Sequence, residues 1–142
     1  MGDKKPSRFK KAGANKGNRI SASELSPDYD SMPPLFSLQW IQDNTKYGFS
    51  ELTKEDKASF SDAIYKRRNI SWKELKQKSR HGLGFEKINK NSLNAPFPSF
   101  MSDDVDHFLA FRYSGKKAMV GYRQKEVFFV FWFDHDFTLY KH

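Results

Sequence analysis

The stretch His107-Phe-Leu-Ala-Phe-Arg-Tyr-Ser-Gly-Lys-Lys-Ala-Met-Val-Gly-Tyr-Arg-Gln-Lys-Glu-Val-Phe-Phe-Val-Phe-Trp-Phe-Asp-His-Asp-Phe-Thr-Leu-Tyr-Lys-His142 decides the fold. It divides into four short strands, Phe108–Tyr113, Lys117–Arg123, Val127–Phe133 and Phe137–Tyr140, separated by turn-forming Ser-Gly-Lys, Gln-Lys-Glu and Asp134-His135-Asp136. Consecutive strands joined by such short turns pair antiparallel, as a meander. Val127 to Phe133 is apolar at every position, so both its faces are expected to be covered.

Working backwards from the sheet, residues 89–104 contain Pro96 and Pro98 and read as irregular, and Phe85–Ile88 as a short strand. Ser71 with Glu74 has capping-box spacing and opens a short helix whose buried side is Trp72 and Leu75. Gly82 and Gly84 end it, and glycines there are expected to take unusual backbone angles. Thr53 with Asp56 caps a longer helix in which Phe60, Ala63, Ile64 and Arg67 share a face. Leu35–Ile41 alternates and reads as a first strand. The fold class is therefore α+β: an N-terminal strand and two helices packed on a C-terminal antiparallel meander.

Charge divides the chain differently. The 142 residues carry a net charge of +8, yet residues 1–20 hold seven Lys/Arg against one acid. Residues 1–34 are expected to form a basic flexible tail, ending at Pro33-Pro34, and residues 35–142 a single domain. The tail suits either solubilisation or non-specific nucleic-acid contact. No apolar run reaches the roughly 20 residues of a membrane helix. No cysteine is present, which leaves no disulfide and no Cys-based zinc site and fits a reducing cytoplasm. The four histidines lack metal-binding spacing, so no metal and no cofactor is expected. Asp103-Asp104-x-Asp106 reads as a turn start. P-loop, dinucleotide-binding and serine-hydrolase patterns are missing.

What remains is a set of cations and proton-transfer groups. If Gly115-Lys116 is the turn, Arg112 pairs with Met119 and Phe108 with Arg123, which sets Arg112 and Arg123 on one face, ready to hold phosphate oxygens. A slip of one residue would separate them. Arg80 and His81 lie in the glycine-bearing loop, within a basic stretch that ends at Lys87. His135 lies in a turn and Tyr140 in the last strand, while Lys117 opens the second hairpin strand. Metal-free RNA cleavage needs a base, cations at the phosphate and an acid, and these residue types supply all three.

The order strand, two helices, meander, and the run Phe111-Arg-Tyr-Ser-Gly-Lys-Lys-Ala-Met-Val-Gly-Tyr-Arg123 before an apolar strand and a terminal Leu-Tyr, resemble the RelE/ParE-like toxins of bacterial type II toxin–antitoxin systems. The resemblance spans residues 35–142. It implies a basic toxin acting as an mRNA endoribonuclease, with RNA, including ribosome-bound mRNA, and a cognate antitoxin as partners, and with Arg112, Arg123 and Tyr140 where such ribonucleases keep functional groups. The expected assignment is Arg112, Arg123, His81, His135 and Tyr140 as catalytic residues, with Arg80, Lys117 and Lys87 binding nucleic acid. The alternatives are a non-catalytic nucleic-acid or protein-binding module and a ParE-like topoisomerase inhibitor. The Arg80–Lys87 segment has no counterpart in the family pattern.

Overall fold

A computed structural model describes residues 27–142; the expected tail lies outside the described residues except for its last eight positions. Seven elements follow in chain order: β1 (Leu35–Ser37), α1 (Lys54–Lys66), α2 (Trp72–Lys76), β2 (Phe85–Asn89), β3 (His107–Ser114), β4 (Lys117–Gln124) and β5 (Val127–Asp134). They build an α+β fold with one five-stranded mixed sheet in the order β1-β5-β4-β3-β2. β1 runs parallel to β5, and the remaining neighbours are antiparallel. None of the described helices is long and apolar enough to cross a membrane.

Both helices begin where their caps predict. The Thr53 side chain accepts the Asp56 amide, and Ser71 and Glu74 form a reciprocal capping box. The helices cover one face of the sheet, where Phe60, Ala63, Trp72 and Leu75 pack on Leu109, Phe111, Met119, Phe128 and Phe133. The opposite face is covered mainly by irregular chain. Trp40 and Tyr47 from the segment after β1, Leu93 to Val105, and Leu139 with Tyr140 pack on Phe108, Ala110, Val120, Phe131 and Trp132. This second cover accounts for the unbroken apolar run of β5, whose residues are buried from both sides.

Three sequence expectations are corrected here. The first strand stops at Ser37 rather than Ile41, because the chain leaves the sheet edge and lays Trp40 flat on Phe129, 4.1 Å between ring centres. Backbone from 42–47 then caps the rest of that edge, Gln42 donating to the Phe131 carbonyl and Tyr47 accepting from Phe133. Phe137–Tyr140 is not a strand. It follows a turn held by the Asp134 carboxylate, which accepts the Leu139 amide at 3.0 Å, and Asn94 donates to the Leu139 carbonyl. Neither Gly82 nor Gly84 adopts a positive φ. Gly84 answers instead to space, since a Cβ there would sit 2.1 Å from the Lys78 carbonyl oxygen.

Contacts with the domain begin before Pro33-Pro34. Asp30 bonds Lys76 and Arg123, and the Met32 carbonyl accepts the Trp72 amide.

Candidate functional site

The β3–β4 hairpin sets the site. A bulge between Arg112 and Ser114 shifts the register, so Arg112 stands opposite Ala118 and Leu109 opposite Gly121. The expected pairing of Arg112 with Met119 is off by one residue, and a one-residue slip turns every later side chain over. Arg112 therefore shares the loop-covered face with Phe108 and Ala110, while Arg123 lies on the helix face, its guanidinium 4.3 Å from the Trp72 ring centre. The two arginines do not form one site.

Arg112 instead joins the loop before β2. Its Nη1 is 2.9 Å from His81 Nδ1. A guanidinium only donates, so His81 Nδ1 accepts and the neutral ring carries its proton on Nε2. Arg80 reaches the same region and pairs with Glu86 at 2.9 Å. Glu86 stands opposite Ala110 across β2–β3 and so shares a face with Arg112.

Tyr140 is 3 % exposed and its hydroxyl has no hydrogen-bond partner, as is also true of Arg112 Nε. Burial pushes the Tyr140 pKa well above the ordinary phenol value, and the Glu86 and Asp134 charges add to this, with Arg112 and Arg80 opposing. The charges that act on Tyr140 are thus those of Arg80, Glu86 and Arg112, together with Asp134. The Tyr140 ring stacks on His142 at 4.2 Å, and His142 Nε2 is 2.5 Å from the fully buried Asp134. Asp134 and Arg112 both flank Ala118, in one row across three strands. Two strand spacings put their backbones roughly 10 Å apart.

A notch of about 350 Å³ opens beside this corner, where β3 runs on past the start of β2. Its walls include Lys66, Arg67, His81, Arg112 and Tyr113, with Asp62 the one carboxylate among them. Tyr113 is buried with an unpartnered hydroxyl, and burial raises its pKa too. Arg67 is 1 % exposed. It donates to the carbonyls of Ala63 (3.0 Å), Gly82 (3.4 Å), Leu83 (2.9 Å) and Arg112 (3.2 Å), and lies over the Phe111 ring. Burial lowers its pKa to about 10, so it is charged at neutral pH. One guanidinium thereby fastens the loop that carries His81 to the strand that carries Arg112.

The other expected site residues lie elsewhere. Lys117 bonds Asp56 at 2.9 Å and ties the hairpin to α1. His135 Nε2 is 2.9 Å from the Lys46 carbonyl oxygen, an acceptor, so that nitrogen holds the proton. Lys87 stands opposite Leu109 on the helix face, and with Arg123 it lines a separate cleft. Of the residues expected from sequence, Arg80, His81 and Arg112 come together, while Tyr140 packs on His142 within reach of the charges of Arg80 and Arg112. Sequence reading missed Glu86, Asp134 and the role of Arg67. Arg67 did leave a signal: it is a cation on the apolar stripe Phe60-Ala63-Ile64, which is where a buried, carbonyl-bound guanidinium would be found. Among the described residues, no group of three or more His, Cys, Asp or Glu is arranged to hold a metal ion.

Comparison with known protein families, with curated proteins and with solved structures finds no match.

Proposed function

We propose that this chain is a RelE/ParE-like toxin whose activity is metal-independent endoribonucleolytic cleavage of mRNA, centred on Arg112 and His81. The observation that carries the reading is the 2.9 Å contact between the Arg112 guanidinium and His81 Nδ1, at the mouth of a notch with a surplus of cations. A phosphate oxygen is a stronger partner for a guanidinium than a neutral imidazole nitrogen. RNA entering the corner would draw Arg112 onto the phosphate and free the His81 Nδ1 lone pair. His81 then takes the 2′-hydroxyl proton, and the 2′-oxygen attacks phosphorus while Arg112 and Arg80 offset the growing charge. The 5′-oxygen leaves taking a proton from water, and His81 returns its proton to the hydroxide left behind, giving a 2′,3′-cyclic phosphate and a 5′-hydroxyl. Tyr140 keeps its proton at neutral pH and so does not serve as the base. The order of a strand, two helices and then four antiparallel strands supports the family reading, and the separation of Arg112 from Arg123 removes one of the residues that the resemblance implied for the centre.

The test is a translating extract supplied with a defined mRNA and with wild type, Arg112→Ala or His81→Ala. The expected result is cleavage by wild type alone, with fragments ending in 2′,3′-cyclic phosphate. Fragments of the same kind and yield from all three proteins would remove the assignment.

A non-catalytic nucleic-acid-binding module is the second reading. It is favoured by the depth of Tyr140, which lies too far beneath the surface to touch a substrate without movement of the 137–142 segment. Binding without fragments in the same extract would select it.

A further inference from the structure

The helix face of the sheet is not wholly covered. Beyond α2, the β2–β3–β4 strands leave a cleft of about 450 Å³, a size that accepts a nucleotide-sized group. Its floor is the half-buried Phe85 with Leu109, and its rim carries Lys76, Lys87, His107, Tyr122 and Arg123. No carboxylate is among its lining residues. The acids nearest to that rim are Asp30, shared between Lys76 and Arg123, and Asp106, bonded to His107. Three cations, Lys76, Lys87 and Arg123, thus stand against the two carboxylates before His107 is counted.

A second observation concerns the chain that leads to this rim. Asp30 is joined by its bonds to Lys76 and Arg123, so the N-terminal segment enters the domain at the cleft. Residues 1–20, upstream of that point, carry seven Lys/Arg. An apolar, partly aromatic floor ringed by cations complements a strand of phosphates with unpaired bases.

We infer that this cleft holds single-stranded RNA at a second place, separate from the notch at the His81–Arg112 corner, with Lys87 and Arg123 on phosphates and Phe85 beneath a base. The inference rests on the reading that RNA is the substrate, and it gives the displaced Arg123 a task. Long single strands then have two points of attachment, one for reaction and one for retention.

The experiment uses the full chain and a fluorescein-labelled twelve-nucleotide oligouridylate, with affinity read by anisotropy from 50 to 200 mM salt. The variants are Lys87→Ala and Lys87→Glu, chosen because Lys87 is exposed on the edge strand β2. The expected result for Lys87→Ala is a slope of log affinity against log salt shallower by about 0.7, the loss of one phosphate contact in a single strand. Lys87→Glu weakens binding at 50 mM salt at least several-fold further. A 4-thiouridine version of the oligonucleotide is expected to crosslink within 85–87, 107–109 or 122–123. Slopes and affinities equal to wild type in both variants, or poly-glutamate of equal charge competing as well as RNA, would overturn the inference. RNA that crosslinks in the cleft but is never cut refutes the nuclease reading and leaves the cleft standing. RNA that is cut normally by a protein indifferent to Lys87 does the reverse.

Discussion

Single side chains separate structure from chemistry in this protein. Tyr113 and Tyr140 are both buried with unpartnered hydroxyls, and burial is the main cause of the raised pKa in each. Removing a hydroxyl that has no partner costs little, so each Tyr→Phe variant should unfold within about 0.5–1 kcal/mol of wild type in urea at pH 7. With catalysis resting on Arg112 and His81, RNA cleavage should persist in both variants, and a loss confined to Tyr140→Phe would show that its buried hydroxyl reaches the substrate. The alkaline limb carries its own sign. Tyrosines of the unfolded chain ionise near 10.0 while the buried pair keep their protons, so the native state binds more protons above that pH. Stability from this source is complete below pH 10 and declines as pH rises beyond it. Thermal scans from pH 9 upward should show a smaller decline in the double Phe variant than in wild type.

At the scale of elements, the caps, the starts of both helices and the three long strands were legible in the residues, since each depends on local spacing, whereas α2 stops at Lys76, short of the glycines expected to end it. Register was not legible. The bulge after Arg112 and a second register shift at Gly121 each insert one residue into the pairing, and the alternation pattern of an all-apolar sheet is silent about such insertions. At Gly121 a Cβ would meet the Phe129 carbonyl oxygen at 1.9 Å, which is a reason for glycine that only the paired strands reveal. The Arg80–Gly84 loop was legible as a place of interest but not in its partners, because Arg67 and Arg112 reach it from 15 or more positions away in sequence. That loop gives a paired test. Gly84→Ala forces the chain off the Lys78 carbonyl, whereas a Cβ at Gly82 meets nothing nearer than 3.7 Å. Gly84→Ala should therefore lose both stability and cleavage, and Gly82→Ala neither. Arg67→Met should resemble Gly84→Ala and cost about 2–4 kcal/mol in urea unfolding, since it strands carbonyls from three segments in the interior.

For the whole molecule, the sequence pointed to one composite site and the sheet divides it in two. Composition had already indicated that the domain itself is close to charge balance, so that any basic surface had to be local. The cations do gather locally, but in two places: Arg80 and Arg112 beside His81, and Lys76, Lys87 and Arg123 around the cleft. The face to which each residue belongs is set by the bulge and by the irregular cover of residues 38–48 and 93–105, neither of which has a periodic signature. The most direct test of the central claim is tightly controlled induction in a bacterial host, wild type beside Arg112→Ala, with growth followed and total RNA resolved on a gel. Growth arrest with fragmented RNA in the wild type only is the predicted result; unimpaired growth with intact RNA, from wild-type protein that is soluble and folded, would contradict it.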